Sequence, residues 1–146
     1  MESEQLVEKI KTVLASAFSL ALKAQNYHWN VVGSNFGEYH DFFGEYYGQM
    51  YTFVDAYAEH IRQLGSFAPG SLSRFSELSK ISDEVSIPSA KFMFVRLASD
   101  NKLMSDLLAD LHESAEEFGD LGLVTTVEDA IQFHSKMQWM IEARTE

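Results

Sequence analysis

The sequence predicts an all-α protein, a four-helix bundle with one long connection between its second and third helices. Three observations indicate this class. The 146 residues include only two prolines and eight glycines, so long stretches are free of helix breakers. Apolar residues recur at helical spacing within these stretches, and none shows the alternation typical of a strand. One connection, from Gly65 to Ile87, is far longer than the others.

Composition and charge restrict the function. The length suits one domain over residues 1–146 with a full hydrophobic core. The absence of cysteine excludes disulfides, thiolate metal sites and cysteine nucleophiles. A formal net charge of −11 opposes binding of nucleic acid or anionic lipid over the general surface. The acidic N-terminus does not resemble a targeting signal, and no apolar stretch is long enough to cross a membrane, so we expect a cytoplasmic protein.

The first two helices are predicted on either side of Gly33. The first covers residues 6–31, where apolar residues form two stripes, as in a bundle helix that also contacts another subunit. The second opens at Asn35, which together with Glu38 resembles a capping box, and it ends near Leu64.

The third and fourth helices are predicted from similar signals. Pro88 suits the first turn of the third helix, which continues to Phe118. One face of this helix carries Phe92, Val95, Leu103, Leu107, Leu111 and Ala115. Thr125 and Glu128 open the fourth helix, which runs nearly to the C-terminus.

The long connection has room for structure of its own, and we expect a short helix over residues 71–78. One long crossover between the second and third helices is the connectivity of a ferritin-like four-helix bundle, and simple up-and-down bundles lack it.

Four ionisable residues on the first two helices indicate a metal site. His28 and His40 lie at similar distances before and after the break, so an antiparallel hairpin brings the two imidazoles abreast. Asp55 and Glu59 form an i,i+4 carboxylate pair on one face of the second helix. Histidine and carboxylate ligands without a thiolate suit Fe(II), Mn(II) or Zn(II).

His40 and Asp55 cannot bind the same ion within one chain. Fifteen residues separate them, which is roughly 22 Å along a straight helix, although their directions differ by only about 60°. A second copy, antiparallel across a two-fold axis near Tyr47 and Gly48, brings His40 of one subunit to Asp55 of the other. Gly44 and Gly48 let two such helices approach closely. The spacing therefore predicts an intersubunit site.

A di-metal centre inside one bundle is excluded, because such centres need Glu-x-x-His on two helices. The residues three positions before the histidines are Gln25, Gly37, Tyr57, Ala109 and Ile131. The remaining histidines are interpreted as structural. His60 and His112 are interpreted as helix caps, packed side chains or residues of a solvated face. His134 is expected to be a hydrogen-bonded core histidine.

Several motifs resemble the Dps family, the mini-ferritins. They are NYHWNVVGSNF at residues 26–36, the histidine at position 40, and DAYAEHIRQLG at residues 55–65. The similarity continues through PGSL at residues 69–72, GD at residues 119–120 and QWM at residues 138–140, and so covers nearly the whole chain.

The resemblance implies hollow dodecameric shells built from two-fold dimers. Such shells bind Fe(II) at intersubunit non-haem sites, oxidise it to Fe(III) with hydrogen peroxide or dioxygen, and store the ferric mineral. On this interpretation the catalytic metal ligands are His28 and His40 of one subunit with Asp55 and Glu59 of its neighbour, and Trp29 lies beside the site.

Three departures from the family pattern affect the expectations. Gly44 stands where many members carry an Asp, which implies a weaker second metal position. His60 replaces the usual Arg after the ligand Glu. No lysine-rich tail is present, so DNA binding is not expected. The alternatives are a DNA-coating nucleoid protein and a structural cage with a vestigial site.

Overall fold

A computed structural model describes residues 2–146 and confirms the all-α class, with no strand among these residues. Its helices are α1 (Ser3–Asn30), α2 (Phe36–Gln63), α3 (Leu72–Leu78), α4 (Ala90–Phe118) and α5 (Leu121–Ala143). The four long helices form the bundle, in which α1 packs on α2 and α4, and α4 packs on α5. None of the helices described is long and apolar enough to span a membrane.

The ferritin-like connectivity is confirmed by contacts between α2 and α4. The Tyr39 ring lies 4.7 Å from the Phe94 ring. Seven residues further along both helices, the Tyr46 hydroxyl donates to Asn101 Oδ1 at 2.7 Å. Equal steps along both helices mean that α2 and α4 run parallel, so the connection between them must cross the length of the bundle.

The crossover contains the predicted short helix. The Ser71 hydroxyl caps α3 by accepting a hydrogen bond from the Arg74 amide at 3.2 Å. The helix packs on the outer side of α1, where the Phe75 ring stacks 4.6 Å from that of Phe18. The second apolar stripe of α1 is thus partly covered by the crossover.

Glu84 fixes the later part of the crossover to the bundle. Its carboxylate accepts hydrogen bonds from the Tyr27 hydroxyl at 2.8 Å and the Arg96 guanidinium at 2.6 Å. Its backbone carbonyl accepts from the Asn26 side chain at 3.3 Å. One residue of the connection therefore joins α1 to α4.

The capping predictions for α2 and α4 need correction. Pro88 lies before α4 and not in its first turn, because Ser89 is the N-cap and its hydroxyl accepts from the Phe92 amide at 3.3 Å. Asn35 is the N-cap of α2, but its side chain makes no capping hydrogen bond.

The start of α5 was also predicted wrongly. The helix begins at Leu121, four residues before Thr125. Gly119 ends α4 with a φ of +85°, a left-handed conformation that favours glycine. Asp120 then caps α5 by accepting from the Leu123 amide at 3.0 Å. The connection between α4 and α5 is shorter than predicted, because Gly119, the C-cap of α4, is followed directly by Asp120, the N-cap of α5.

In the first half of α4, the residues that are buried are not those of the predicted apolar face. Phe92 and Val95 are 55% and 42% exposed, whereas Met93 and Leu97 are buried. The buried face also includes Asn101. This polar residue interrupts the apolar pattern from which the face was predicted.

Asn101 is the centre of a buried polar network. Its Oδ1 accepts from the Tyr46 hydroxyl at 2.7 Å and from His134 Nδ1 at 2.6 Å. Its Nδ2 donates to the His134 carbonyl at 2.9 Å and to Gln138 Oε1 at 2.7 Å. Burial lowers the pKa of His134 to about 3, so the ring is neutral and its single proton is on Nδ1. The predicted hydrogen-bonded core histidine is confirmed.

Candidate metal site

The predicted juxtaposition of His28 and His40 is confirmed. His28 lies in the last turn of α1 and His40 in the second turn of α2. The loop between them passes through Gly33, whose φ of +122° is accessible to glycine and strained for other residues. The two imidazole rings stack with centroids 3.8 Å apart and planes 17° apart.

Each of these histidines is hydrogen-bonded to the backbone of the other. Nδ1 of His28 lies 2.7 Å from the His40 carbonyl oxygen, and Nδ1 of His40 lies 2.7 Å from the His28 carbonyl oxygen. Carbonyl oxygens only accept, so both Nδ1 atoms donate. In a neutral ring Nε2 then has a free lone pair. A backbone bond at one nitrogen and a free lone pair at the other is the usual state of a metal-binding histidine.

The stacking limits how the rings can bind metal. An imidazole lone pair lies in the ring plane, and two planes inclined by 17° at this separation do not meet near the Nε2 atoms. The two rings as they stand therefore cannot coordinate one common ion. Each ring can instead bind a separate ion through its own Nε2.

Aromatic residues surround the pair. The Phe36 ring stacks on His40 at 5.0 Å, and the Tyr47 ring meets His28 edge-on at 5.3 Å. Trp29, the next residue after His28, is 61% exposed. The imidazoles are half-buried and lie at the surface of the bundle.

Gly44 lies directly against the His28 ring. A Cβ atom at this residue would lie 3.0 Å from both Cε1 and Nδ1 of the His28 ring, which is tighter than nine in ten real contacts of a Cβ atom. The glycine was interpreted from the sequence as a missing ligand. The structure adds a steric effect, since a side chain here requires the His28 ring to shift by a few tenths of an ångström.

Asp55 and Glu59 are exposed on α2 and lie far from the histidines of the same chain. Because α2 is one uninterrupted helix, His40 and Asp55 are roughly 22 Å apart along its axis. Among residues 2–146, no three His, Asp or Glu side chains converge so that they could hold a metal ion. One chain thus brings the two histidines together, but it does not bring them to the carboxylates.

The side chain of His60 points inward. Its Nε2 lies 2.6 Å from Asp120 Oδ2, and both side chains are largely buried. Burial acts to raise the pKa of Asp120, but hydrogen bonds from His60 and from the amides of Leu123 and Gly122 outweigh it and lower the pKa. Sequence reasoning missed this pair because sixty residues separate its members.

Comparison with known proteins gives relatives over the full length. A family model described as the ferritin-like domain matches residues 7–146. The DNA protection during starvation protein of Helicobacter pylori is 32% identical over 137 residues, which cover 93% of this chain and 95% of that protein.

Solved structures are similar over the same extent. Antigen TpF1 of Treponema pallidum has a TM-score of 0.95 at 27% identity, covering 99% of this chain and 93% of that one. The Dps protein of Vibrio cholerae O1 has a TM-score of 0.95 at 26% identity, covering 99% of this chain and 91% of that one. The latter is described as one of the ferritin-like diiron-carboxylate proteins.

Two long helices, α2 and α4, that run parallel and are joined by a spanning crossover define a protein of the ferritin-like class. The chain belongs to this family. Within it, the chain belongs to the Dps proteins, the mini-ferritins.

Proposed function

We propose that this protein is a cytoplasmic ferroxidase and iron-storage cage, which oxidises Fe(II) to Fe(III), mainly with hydrogen peroxide, and retains the ferric product. The supporting observation is the reciprocal bonding of His28 and His40. Both rings are held by backbone carbonyls in the tautomer that leaves Nε2 free for a metal ion.

The site is completed by a second subunit. Its ligands are His28 and His40 of one chain with Asp55 and Glu59 of the other. The length of α2 and the exposure of both carboxylates support this arrangement. Gly48, near the proposed two-fold axis, has open space where a Cβ would lie, so a second helix can approach there. Each dimer then has two equivalent sites, and the family resemblance supports a shell of six dimers.

The chemistry suits two neighbouring irons. Reduction of one hydrogen peroxide molecule to two waters consumes two electrons and two protons, and each Fe(II) supplies one electron. Two ions facing two stacked imidazoles can deliver both electrons together and avoid a one-electron peroxide product. Gly44 contributes no carboxylate, so one of the two ions is held less tightly than the other.

The charge of the chain favours iron over DNA. Asp and Glu total 22 against 11 Lys and Arg, so Fe(II) is attracted and phosphate is repelled. DNA coating is the alternative that the name of the Helicobacter relative suggests. A salt-sensitive gel shift without added divalent cations would favour that alternative.

Anaerobic Fe(II) titration followed by addition of hydrogen peroxide tests the proposal. We expect two Fe(II) oxidised per peroxide, and loss of this activity in the variant with His28→Ala and His40→Ala. Asp41→Asn is a matched control, because it removes an exposed charge next to His40. Unchanged peroxide consumption in the histidine variant would contradict the proposal.

A further inference from the structure

Tyr47 contacts the histidine pair from the side. Its ring meets that of His28 edge-on, with centroids 5.3 Å apart and planes inclined by 62°. It follows His40 by almost two full turns of α2, so both residues lie on the same face of that helix. Phe36 is stacked on His40 and also touches the pair. Of these two aromatic neighbours, only the phenol of Tyr47 is readily oxidised by one electron.

The hydroxyl of Tyr47 is not used to hold the fold. The neighbouring Tyr46 donates its hydroxyl hydrogen to Asn101 Oδ1 at 2.7 Å. One turn after Tyr47, the Tyr51 hydroxyl donates to Gln25 Oε1 at 3.1 Å. The Tyr47 hydroxyl makes no such bond within residues 2–146, and its side chain is only half-buried. A phenol loses its proton when it is oxidised, and here no bond within this part of the chain retains that proton.

The proposed ferroxidase function creates a need for an electron donor at this place. Reduction of hydrogen peroxide to two waters takes two electrons, and one Fe(II) supplies one. Gly44 contributes no carboxylate, so the weaker iron position is empty when Fe(II) is scarce. A site with a single Fe(II) would then split peroxide into hydroxide and a hydroxyl radical.

We propose that Tyr47 supplies the electron that the missing second Fe(II) would give, an inference that rests on the proposed function. The O–O bond of peroxide breaks as it accepts one electron from Fe(II) and one from the phenol. The phenol proton and one proton from solvent complete two waters, and Fe(III) and a Tyr47 phenoxyl radical remain. The next Fe(II) reduces this radical, which takes a proton from solvent and becomes the phenol again. The sum is two Fe(II) oxidised per peroxide.

The contacts around the site favour Tyr47 over the other oxidisable side chains. Its ring touches the imidazole of a proposed iron ligand, so the electron crosses one ring contact. The Tyr51 ring is one step further away, with its centroid 5.9 Å from that of Tyr47. Trp29 follows His28 in the sequence, but its side chain is 61% exposed and lies largely in solvent.

Freeze-quench electron paramagnetic resonance of the assembled protein tests this assignment. The protein is loaded anaerobically with one Fe(II) per site, mixed with hydrogen peroxide and frozen. We expect a phenoxyl radical in the parent and its loss in Tyr47→Phe. A spin trap should detect more hydroxyl radical in this variant than in the parent. Loading two Fe(II) per site should diminish the phenoxyl signal of the parent, because the second ion then supplies the electron.

Tyr51→Phe and Trp29→Phe are the controls, since each removes one oxidisable ring near the site and should leave the phenoxyl signal in place. Co(II) binding separates electron donation from positioning. Phenylalanine at residue 47 keeps the ring that contacts His28, so Tyr47→Phe should bind Co(II) like the parent.

A phenoxyl signal that persists in Tyr47→Phe would overturn the inference. Loss of the signal in Trp29→Phe, or weakened Co(II) binding in Tyr47→Phe, would also overturn it. A parent protein that oxidises no Fe(II) with peroxide would reject the proposed function, and the inference with it. Fe(II) oxidation without a radical that depends on Tyr47 would reject the electron donor alone.

Discussion

The imidazole of His28 occupies the space in front of Gly44, with two ring atoms 3.0 Å from the point where a side chain at residue 44 would begin. Nδ1, one of these two ring atoms, also donates a hydrogen bond to the His40 carbonyl, one turn earlier on α2, at 2.7 Å. A shift of the ring away from residue 44 therefore also changes the length of this hydrogen bond. A side chain at residue 44 is therefore expected to displace a proposed iron ligand by a few tenths of an ångström.

The first prediction is that Gly44→Ala weakens Fe(II) binding, by roughly tenfold, as other changes that displace a metal-binding histidine do. Gly37→Ala is the control, because it adds the same methyl group on α2 where no atom lies within 4 Å. Anaerobic Fe(II) titration measures both. Parent-like affinity in Gly44→Ala would show that His28 has more freedom than its contacts indicate.

A related prediction concerns Gly44→Asp. The family resemblance alone implies that this change strengthens the second iron position. The steric contact with His28 adds an opposite effect, so we expect the tighter ion to be weakened while the weaker ion gains a carboxylate. In an anaerobic Fe(II) titration, the affinities of the two binding steps should therefore become more similar than in the parent. If both ions bind more tightly, the steric argument is wrong.

The intersubunit arrangement predicts complementation between two inactive variants. One variant combines His28→Ala with His40→Ala, and the other combines Asp55→Ala with Glu59→Ala. After unfolding and co-assembly, each mixed dimer has one end with all four ligands and one end with none. Fe(II) oxidation should therefore return in part. A site within one chain would give no recovery at any mixing ratio.

The hydrogen bonds of Glu84 predict a loss of stability in acid. Burial acts to raise its pKa, but hydrogen bonds from Arg96, Tyr27 and Ser86 lower it from 4.5 to about 2. A carboxylate with a lowered pKa stabilises the fold above its ordinary pKa, and this contribution disappears as the pH falls through the folded value. The stability difference between the parent and Glu84→Gln should thus shrink from pH 4.5 to about pH 2.

Urea denaturation at a series of pH values measures this difference. Glu77→Gln is the control for loss of one charge, because Glu77 pairs with Arg74 on the exposed side of the same crossover. A constant difference between the parent and Glu84→Gln over the acid range would contradict the assignment.

The Asn101 network predicts a large cost for one buried substitution. Asn101→Leu leaves the Tyr46 hydroxyl and the His134 Nδ1–H without their acceptor. Each unsatisfied buried group costs about 1–3 kcal/mol, so we expect the free energy of unfolding to fall by about 3 kcal/mol. Lys102→Ala, at the exposed neighbouring position, should change it by less than about 0.5 kcal/mol. Denaturation followed by circular dichroism at one protein concentration compares the two.

Features that depend on neighbouring residues could be predicted from the sequence. The long helices follow from the absence of breakers. The pairing of His28 with His40 follows from their positions on either side of a single turn. The length of α2 separates His40 from Asp55 in any structure that contains this helix, and this needs no tertiary information.

The rest depends on tertiary contacts. Glu84 forms hydrogen bonds with residues of α1 and α4, and Asn101 forms them with residues of α2 and α5. The local sequence around each residue does not indicate these bonds. Asn101 also misled the prediction of the α4 face, because a polar residue on the buried side breaks the apolar pattern. The role of Gly44 requires the position of the His28 ring, and a glycine in a sequence does not reveal what occupies the space beside it.

The two bonds between His28 and His40 join residues only twelve positions apart, so they can close as soon as the α1–α2 hairpin folds. If they close at that stage, a newly synthesised chain has its imidazoles arranged before it meets any other subunit. On the proposed function, the carboxylates opposite them arrive only when two chains pair. Oxidation would begin with assembly, and free subunits would not deposit insoluble ferric iron outside a shell.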